Sequence, residues 1–138
     1  MSPDDQKKLV QVYIKKVWNK ADMDIFEQIT SEDYTYHLGG QPPRSKIEMR
    51  HFVDGVHQAF PDWKVEIQDI ITEKDMVTVR WAGEVTHQGA FHGIAPTGRK
   101  IAVSGINLYK IENDRITCEW EQMDSLGMIK QMGVIQNS

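Results

Sequence analysis

The chain has 138 residues, of which 40% are hydrophobic and 26% charged, and its formal net charge is −4. This length suits one domain with a hydrophobic core, and the scattered lysines and arginines disfavour nucleic acid or a membrane surface as partner. The lone cysteine, Cys118, excludes an internal disulfide framework, and the N-terminus lacks an apolar signal segment. We therefore expect residues 1–138 to form a single cytoplasmic domain.

The N-terminal segment predicts two helices. Ser2 can cap the first helix, Pro3 suits its first position, and apolar residues recur at helical spacing over 9–18. Asp22 then precedes a second short apolar segment at 23–29 and is a typical helix cap. These signals place a long helix and a short helix before any strand.

The next segment predicts a short strand and a third helix. Residues 33–38, DYTYHL, alternate as a strand does, and the loop GGQPP follows them. Ser45 and Glu48 then form a capping-box pattern, which opens a helix that Pro61 ends. Helices therefore dominate the first half of the chain.

The second half alternates with a period of two residues, which is typical of strands. Turns such as EKD and END separate the strand patterns, so we expect four successive antiparallel strands. A short helix at 125–132 closes the chain. The predicted fold class is α+β, with a curved, mainly antiparallel sheet wrapped around the N-terminal helices and a concave pocket between them. The four strand patterns are KVEIQDIITE, MVTVRWAGEVTH, RKIAVSGINLYKI and RITCEWEQMD.

The faces of the long strands predict an apolar pocket with polar groups at one end. Alternation places Trp81 and Asn107 on inward faces of their strands. In the last strand, alternation groups Trp120, Gln122 and Asp124 on one face. If these faces coincide, they form the usual lining of a small-molecule site. The predicted substrate-binding residues are Trp81, Asn107, Trp120, Gln122, Phe91 and Phe52.

Asp124 and His37 are the two candidates for acid/base chemistry. Asp124 is either a cap at the start of the final helix or an acid at the pocket mouth, and these roles are compatible. His37 belongs to the short strand that should border the cavity, where a neutral imidazole could orient a substrate or modulate Asp124. The histidine and cysteine spacings match no metal-binding motif, so no metal site is predicted.

Several segments resemble a known family over nearly the whole chain. The strongest are AFPDWKVEI, the connection FHGIAPTG followed by SGINLYKIENDRI, and a W-x-x-x-D pattern at Trp120 and Asp124. Together they resemble the SnoaL-like polyketide cyclases, or ester cyclases, of the nuclear-transport-factor-2-like superfamily. The resemblance implies a cone-shaped α+β domain that forms a homodimer and uses neither a metal nor an organic cofactor.

The resemblance also implies an activity. Cyclases of this type close a ring by an intramolecular aldol-type reaction on a small apolar or polyketide-like substrate. An aspartate at the end of the last long strand is their acid/base, and Asp124 matches it. Many relatives carry His-Trp where this chain has Glu119-Trp120. Because alternation puts Glu119 on the face opposite Trp120, we expect this difference to lie outside the pocket.

Other functions are compatible with the same residues, because one fold hosts many activities. A ketosteroid-isomerase-like enzyme would move a proton without closing a ring. An epoxide-hydrolase-like enzyme would need a partner carboxylate, which Asp124 lacks on its predicted face. A small-molecule binding protein without catalysis would use Asp124 only as a cap. The state of the carboxyl group discriminates them, since a perturbed pKa favours an enzyme.

Overall fold

The computed structural model describes residues 1–134 of the chain. It begins with α1 (Pro3–Val12), which continues as a π-helical segment at Tyr13–Trp18. Helix α2 (Met23–Ile29) follows, with the Asp22 side chain accepting a hydrogen bond at its start. The predicted caps at Ser2 and Asp22 are both confirmed, because their side chains accept the backbone N–H groups that a helix start leaves free.

Two further helices flank the remaining strands. Helix α3 (Lys46–Ala59) begins with the predicted capping box, in which the Ser45 and Glu48 side chains accept from each other's backbone N–H groups. It ends two residues before Pro61, as expected for a residue that cannot continue a helix. The short helix α4 (Ser125–Gln131) follows the last strand directly. Among residues 1–134, no helix is long and apolar enough to cross a membrane.

Five strands form one open mixed sheet in the order β1-β5-β4-β3-β2. The predicted four-stranded antiparallel meander is confirmed, since β2 pairs with β3, β3 with β4 and β4 with β5. The first strand adds to the far side of β5 in the parallel direction, which makes the sheet mixed. The fold class is α+β, as the sequence predicts. The strands are β1 (Thr30–Leu38), β2 (Val65–Glu73), β3 (Met76–Thr86), β4 (Lys100–Glu112) and β5 (Arg115–Met123).

A β-bulge at Thr117 decides which side chains of β5 face the core. Next to the turn, Ile111 of β4 pairs with Ile116, but the following pair joins Lys110 to Cys118. Thr117 is thus left without a partner on β4. An unpaired residue shifts the alternation by one position, so every side chain beyond it changes face.

The helices cover the inner face of the sheet, and aromatic side chains fill the space between them. Tyr13 and Trp18 from the π-helical segment are both buried against this face. The rings of Tyr13 and Tyr109 of β4 meet edge to face, with centroids 5.5 Å apart. The core is therefore rich in hydroxyl and indole N–H donors, which need acceptors once they are buried.

Candidate functional site

The inner face of β5 carries two glutamates. Glu119 is fully buried and Glu121 is 6% exposed. Because the bulge at Thr117 reverses the alternation, these two side chains occupy the face that the sequence assigns to Trp120 and Gln122. The expectation that Glu119 lies away from the interior is therefore wrong, and a carboxyl pair takes the place predicted for Trp120 and Gln122.

Glu119 is held by five hydrogen-bond donors. Its Oε1 accepts from the hydroxyls of Tyr13 and Tyr34, at 2.6 and 2.8 Å. Its Oε2 accepts from Trp18 Nε1, Asn107 Nδ2 and the Tyr109 hydroxyl, at 2.9, 2.8 and 2.7 Å. A carboxylate only accepts hydrogen bonds, so this set of donors fits the ionised form.

The three tyrosines of this cluster stay protonated. Burial, and next the charge of Glu119, raise the pKa of Tyr13, Tyr34 and Tyr109 well above the ordinary value. Their hydroxyls therefore keep the protons that they donate to Glu119. The cluster is a fixed polar network at the centre of the core, and its donors come from the π-helical segment, β1 and β4.

Asn107 joins the two glutamates. Its Nδ2 donates to Glu119 Oε2 at 2.8 Å and to Glu121 Oε1 at 3.0 Å. Its Oδ1 accepts from Trp81 Nε1 at 2.8 Å, which fixes the orientation of the amide. Gly105 makes room for this arrangement, because a Cβ there would lie 2.5 Å from the Trp81 ring. Trp81 and Asn107 thus position the carboxyl pair.

Glu121 holds its proton far more tightly than an ordinary glutamate. Burial, and next the charge of Glu119, raise the pKa of Glu121 from 4.5 to about 8. The hydrogen bond from Asn107 and the positive charge of Arg44 offset part of this effect. A carboxyl group with such a pKa exchanges its proton near neutral pH, which is the property that a general acid/base needs.

Glu121 also faces free space inside the protein. It lines an interior cavity of about 40 Å³ between the sheet and helices α3 and α4. A second cavity of about 10 Å³ lies between Glu121, Asn107 and the surrounding aromatic rings. Most of the lining is apolar, as in a small-molecule site. The lining of the larger cavity includes Phe52, Phe60, Trp63, Phe91, Glu121 and Met128.

Asp124 lies at the start of α4, where it acts as the helix cap. Its Oδ1 accepts from the backbone N–H of Gly127 at 2.9 Å, and the residue is exposed. A Cβ at position 127 would collide with the Asp124 carboxylate, so the carboxylate would have to leave its capping position. Of the two roles that the sequence left open for Asp124, the structure places its carboxylate in the capping one.

Three other predicted site residues lie on the outer face of the sheet, away from the cavities. His37 stacks on the Trp120 ring, with centroids 5.6 Å apart, and its Nε2 lies 3.0 Å from the Thr35 hydroxyl. Trp120 is 36% exposed, and Gln122 is exposed beside it. The prediction that these residues face the pocket is wrong, because the bulge at Thr117 turns Trp120 and Gln122 outward.

The remaining four predicted residues lie inside. Phe52 and Phe91 line the larger cavity, and Trp81 and Asn107 line the smaller one. Phe91 belongs to the connection between β3 and β4, where its ring packs on Phe60 with centroids 5.1 Å apart. Their substrate-binding roles stay predictions.

Sequence reasoning missed Glu119 and Glu121, although a signal for them exists. The pattern N-x-Y at 107–109 faces E-x-E at 119–121 across the hairpin, but only if one residue beyond the turn is unpaired. Two glutamates on a strand normally indicate a solvated face. The neighbouring elements carry several tyrosines and a tryptophan whose donors need acceptors once they are buried. This need would have favoured placing the two glutamates on the inner face.

Comparison with known proteins agrees with this architecture. The sequence profile of the SnoaL-like polyketide cyclase family matches residues 8–132. No curated protein matches the sequence. The structure is similar to those of several bacterial proteins, described next, and at 24% identity or less these similarities show the fold alone.

Three solved structures illustrate the range. AclR of Streptomyces galilaeus, a proposed hydroxylase, is 24% identical with a TM-score of 0.88, over 99% of this chain and 89% of that one. IdmH of Streptomyces antibioticus, a proposed polyketide cyclase, is 24% identical with a TM-score of 0.81, over 93% of this chain and 98% of that one. A proposed SnoaL-like polyketide cyclase of Jannaschia sp. CCS1 is 16% identical with a TM-score of 0.90, over 99% of this chain and 98% of that one. Since the family profile covers most of the sequence, this chain belongs to the SnoaL-like polyketide cyclase family.

Proposed function

We propose that the protein is a cofactor-independent enzyme that closes a ring in a small polyketide-like substrate, with Glu121 as its acid/base. The observation that carries this proposal is the state of Glu121, a buried carboxyl group whose pKa is raised to about 8 and which lines an apolar cavity. The family resemblance gives the acid/base role to Asp124. We assign it to Glu121 instead, because the Asp124 carboxylate is exposed and bonded to the start of α4.

The chemistry needs one carboxyl group in two states. Ionised Glu121 removes a proton from a carbon between two carbonyl groups, and the electron pair moves onto a carbonyl oxygen to give an enolate. The enolate carbon then attacks a second carbonyl carbon of the same chain, forming the new C–C bond and leaving an alkoxide. Glu121 returns the proton to this alkoxide, so the ring closes without any net gain or loss of atoms.

Burial contributes to each step. Apolar walls such as Phe52 and Phe60 fold the flexible substrate so that its reacting carbons meet. The binding energy thereby lowers the barrier to ring closure. The fixed dipoles of Asn107 and Trp81 hold Glu121 in one orientation. Because a volume of about 40 Å³ is far below that of a typical ligand site, the cavity has to open to admit a substrate. We propose the connection 87–99, which carries Phe91, as the part that moves.

A paired substitution tests the assignment. The assay uses a linear poly-β-ketone ester with an aromatic end group as test substrate, and ring closure is followed by the absorbance of the product. We expect Glu121→Gln to lower kcat by on the order of 100-fold or more, since it removes the proton acceptor. Asp124→Asn should retain activity, since asparagine also caps helices. Wild-type turnover should rise with pH as Glu121 ionises around pH 8.

Each other outcome has a distinct meaning. Full activity of Glu121→Gln would refute the role of Glu121. Loss of activity in Asp124→Asn, at unchanged stability, would return the acid/base role to Asp124. A product in which a proton has moved without ring closure would identify an isomerase using the same carboxyl group. Tight binding of the ester without turnover would favour a small-molecule binding protein.

A further inference from the structure

Trp63 has an indole N–H that no acceptor satisfies. The residue is 7% exposed, and its Nε1 is buried without a hydrogen-bond partner among residues 1–134. The other two interior tryptophans are paired, Trp18 with Glu119 at 2.9 Å and Trp81 with Asn107 at 2.8 Å. Buried donors are nearly always paired, and of the four unpaired buried side-chain atoms among residues 1–134 only Trp63 Nε1 belongs to a residue that lines the cavities beside Glu121.

The ring of Trp63 is firmly held. Three aromatic rings surround it, those of Phe60, Trp18 and Trp81, with centroids 5.9, 6.5 and 6.3 Å away. Its backbone N–H donates to Phe60 O at 2.9 Å, which closes the turn after α3. Two residues later, the backbone of Val65 is bonded in both directions to the Asn19 side chain. The indole cannot easily turn its N–H elsewhere, because a large ring fixed on three sides has few rotamers available.

Trp63 also shares the cavities of Glu121. Both residues line the larger and the smaller cavity, so the carboxyl group and the indole border the same free space. The surroundings of Trp63 are otherwise aromatic. A hydrogen bond to an anionic oxygen is much stronger in such an apolar, water-excluding environment than it is in water.

We propose that Trp63 Nε1–H donates to the enolate oxygen that forms when Glu121 removes the substrate proton. This inference rests on the proposed function and names a binding subsite within it, for an anionic oxygen of a β-dicarbonyl group. The N–H gains an acceptor only once a substrate is bound, and that acceptor becomes a stronger one as negative charge develops. The free energy lost by leaving the donor unpaired in the empty protein is thereby recovered in the transition state.

The indole signals in a proton–nitrogen NMR spectrum test the subsite directly. The chain has four tryptophans, so four indole N–H signals are expected, assigned with single Trp→Phe variants. The probe is benzoylacetone, an aromatic β-diketone that forms an enolate. Butylbenzene, which has the same carbon skeleton without oxygens, is the matched control ligand. We expect benzoylacetone to move the Trp63 signal downfield more than any other indole signal, and butylbenzene to leave it without a downfield shift.

Turnover and stability of two matched variants complete the test. Trp63→Phe keeps an aromatic ring but removes the N–H, so we expect kcat to fall by on the order of 100-fold with little change in KM. Trp63→Phe should also lose less stability than Trp81→Phe, because only Trp81 has a hydrogen bond to lose.

The results separate this inference from the proposed function. A Trp63 signal that benzoylacetone leaves in place overturns the subsite, whether or not other signals move. So does Trp63→Phe with wild-type kcat. If Glu121→Gln abolishes turnover while the Trp63 signal stays fixed, the proposed function stands and the subsite falls. If the Trp63 signal moves while Glu121→Gln remains fully active, the subsite stands and the acid/base assignment falls.

Discussion

At the scale of single residues, Glu119 controls how tightly Glu121 holds its proton. The two carboxyl groups share the amide of Asn107, and the charge of Glu119 is the second cause of the raised pKa of Glu121, after burial. A negative charge close to a carboxyl group disfavours its ionisation, more so in a low-dielectric interior. Glu119 is thus a positioning and tuning residue that need not touch the substrate.

Substituting Glu119 by glutamine tests this coupling. The change removes the charge, so the pKa of Glu121 should fall from about 8 toward 4.5, and the pH dependence of turnover should move to lower pH with it. Glutamine also disturbs the donors around it, and we expect a loss of about 3 kcal/mol in the free energy of unfolding. Carbon NMR titration of Glu121 measures the shift.

Tyr34→Phe is the matched control for that substitution. It removes one donor from Glu119 but leaves the charge in place, so the pKa of Glu121 should stay raised. An unchanged pKa of Glu121 in Glu119→Gln would show that burial alone sets its proton affinity.

At the scale of elements, the start of α4 depends on one carboxylate and one glycine. Asp124→Ala removes the acceptor for Gly127 N–H, and Gly127→Ala places a methyl group against the same carboxylate. Loss of the cap should cost about 1 kcal/mol of stability in Asp124→Ala, and the same loss in Gly127→Ala is offset in part by the higher helix propensity of alanine. Since both break the same cap, the double variant should lose less than the sum of the two.

Urea unfolding of the two single variants and the double variant measures this coupling. Ser125→Ala, an exposed neighbour whose side chain makes no capping bond, serves as control and should stay close to the wild type. Strict additivity of the two changes would contradict a shared cap, since the methyl group at position 127 would then act independently of the Asp124 carboxylate.

Elements with local signals could be predicted from the sequence. The caps at Ser2, Asp22 and Ser45 lie within a few residues of the helices they start, and the meander follows from short turns between alternating segments. The bulge at Thr117 has no comparable local signal. Without the bulge, regular pairing from the turn would set Asn107 opposite Trp120. Trp120 and Gln122 would then face inward, as the sequence predicts.

The composition of the site could be predicted only in part. Asn107 and Trp81 face inward because β3 and β4 pair without interruption, as the alternation requires. The inward side of β5 depends on donors remote in sequence, since Tyr13 lies 106 residues before Glu119. The burial of a charge on β5 is favourable only with all those donors assembled, and no local pattern reports this.

At the scale of the whole molecule, Glu121 makes stability depend on pH. The folded protein holds the proton of Glu121 up to about pH 8, whereas an ordinary glutamate releases it near 4.5. Between these values the folded state binds more protons than the unfolded state, so stability falls as the pH rises. The contribution is fully present below about pH 4.5 and lost as the pH passes 8.

Comparison with Glu121→Gln isolates this contribution. Urea unfolding at several pH values should show the wild type losing on the order of a few kcal/mol, relative to the variant, from pH 5 to pH 8. Titrating groups remote from the carboxyl pair affect both proteins equally, so the difference belongs to Glu121 and its coupling to Glu119. Parallel stability curves for the two proteins would contradict a raised pKa.

The homodimer stays a prediction, and we expect its interface on the outer face of the sheet. Strand pairing aligns Ile71, Thr78, Leu108 and Trp120 in one row across this face. Ile106, on the neighbouring row, is 52% exposed. In its row Ile106 pairs with Arg80 and Gln122, so the apolar part of this face consists of Ile71, Leu108 and Trp120 with Ile106 beside them. Exposed apolar side chains grouped in this way are typical of an interface between copies.

Charge on this face should dissociate the dimer. We expect the wild type to have the mass of a dimer in light scattering, and Ile106→Glu to have that of a monomer. Ile47→Glu, on α3, is the control, since Ile47 is 69% exposed but lies on a helix. A monomeric wild type, or dissociation by Ile47→Glu alone, would place the interface elsewhere or remove it.

The most direct test of the central claim is the pKa of Glu121 in the folded wild type. The side-chain carboxyl carbon is followed by NMR from pH 4 to pH 10, with Glu121→Gln to assign its signal. We expect a titration midpoint of about 8, because the group is buried beside the charge of Glu119. A midpoint near 4.5 would contradict it, since Glu121 would then be an ordinary carboxylate whose proton affinity neither burial nor the charge of Glu119 has raised.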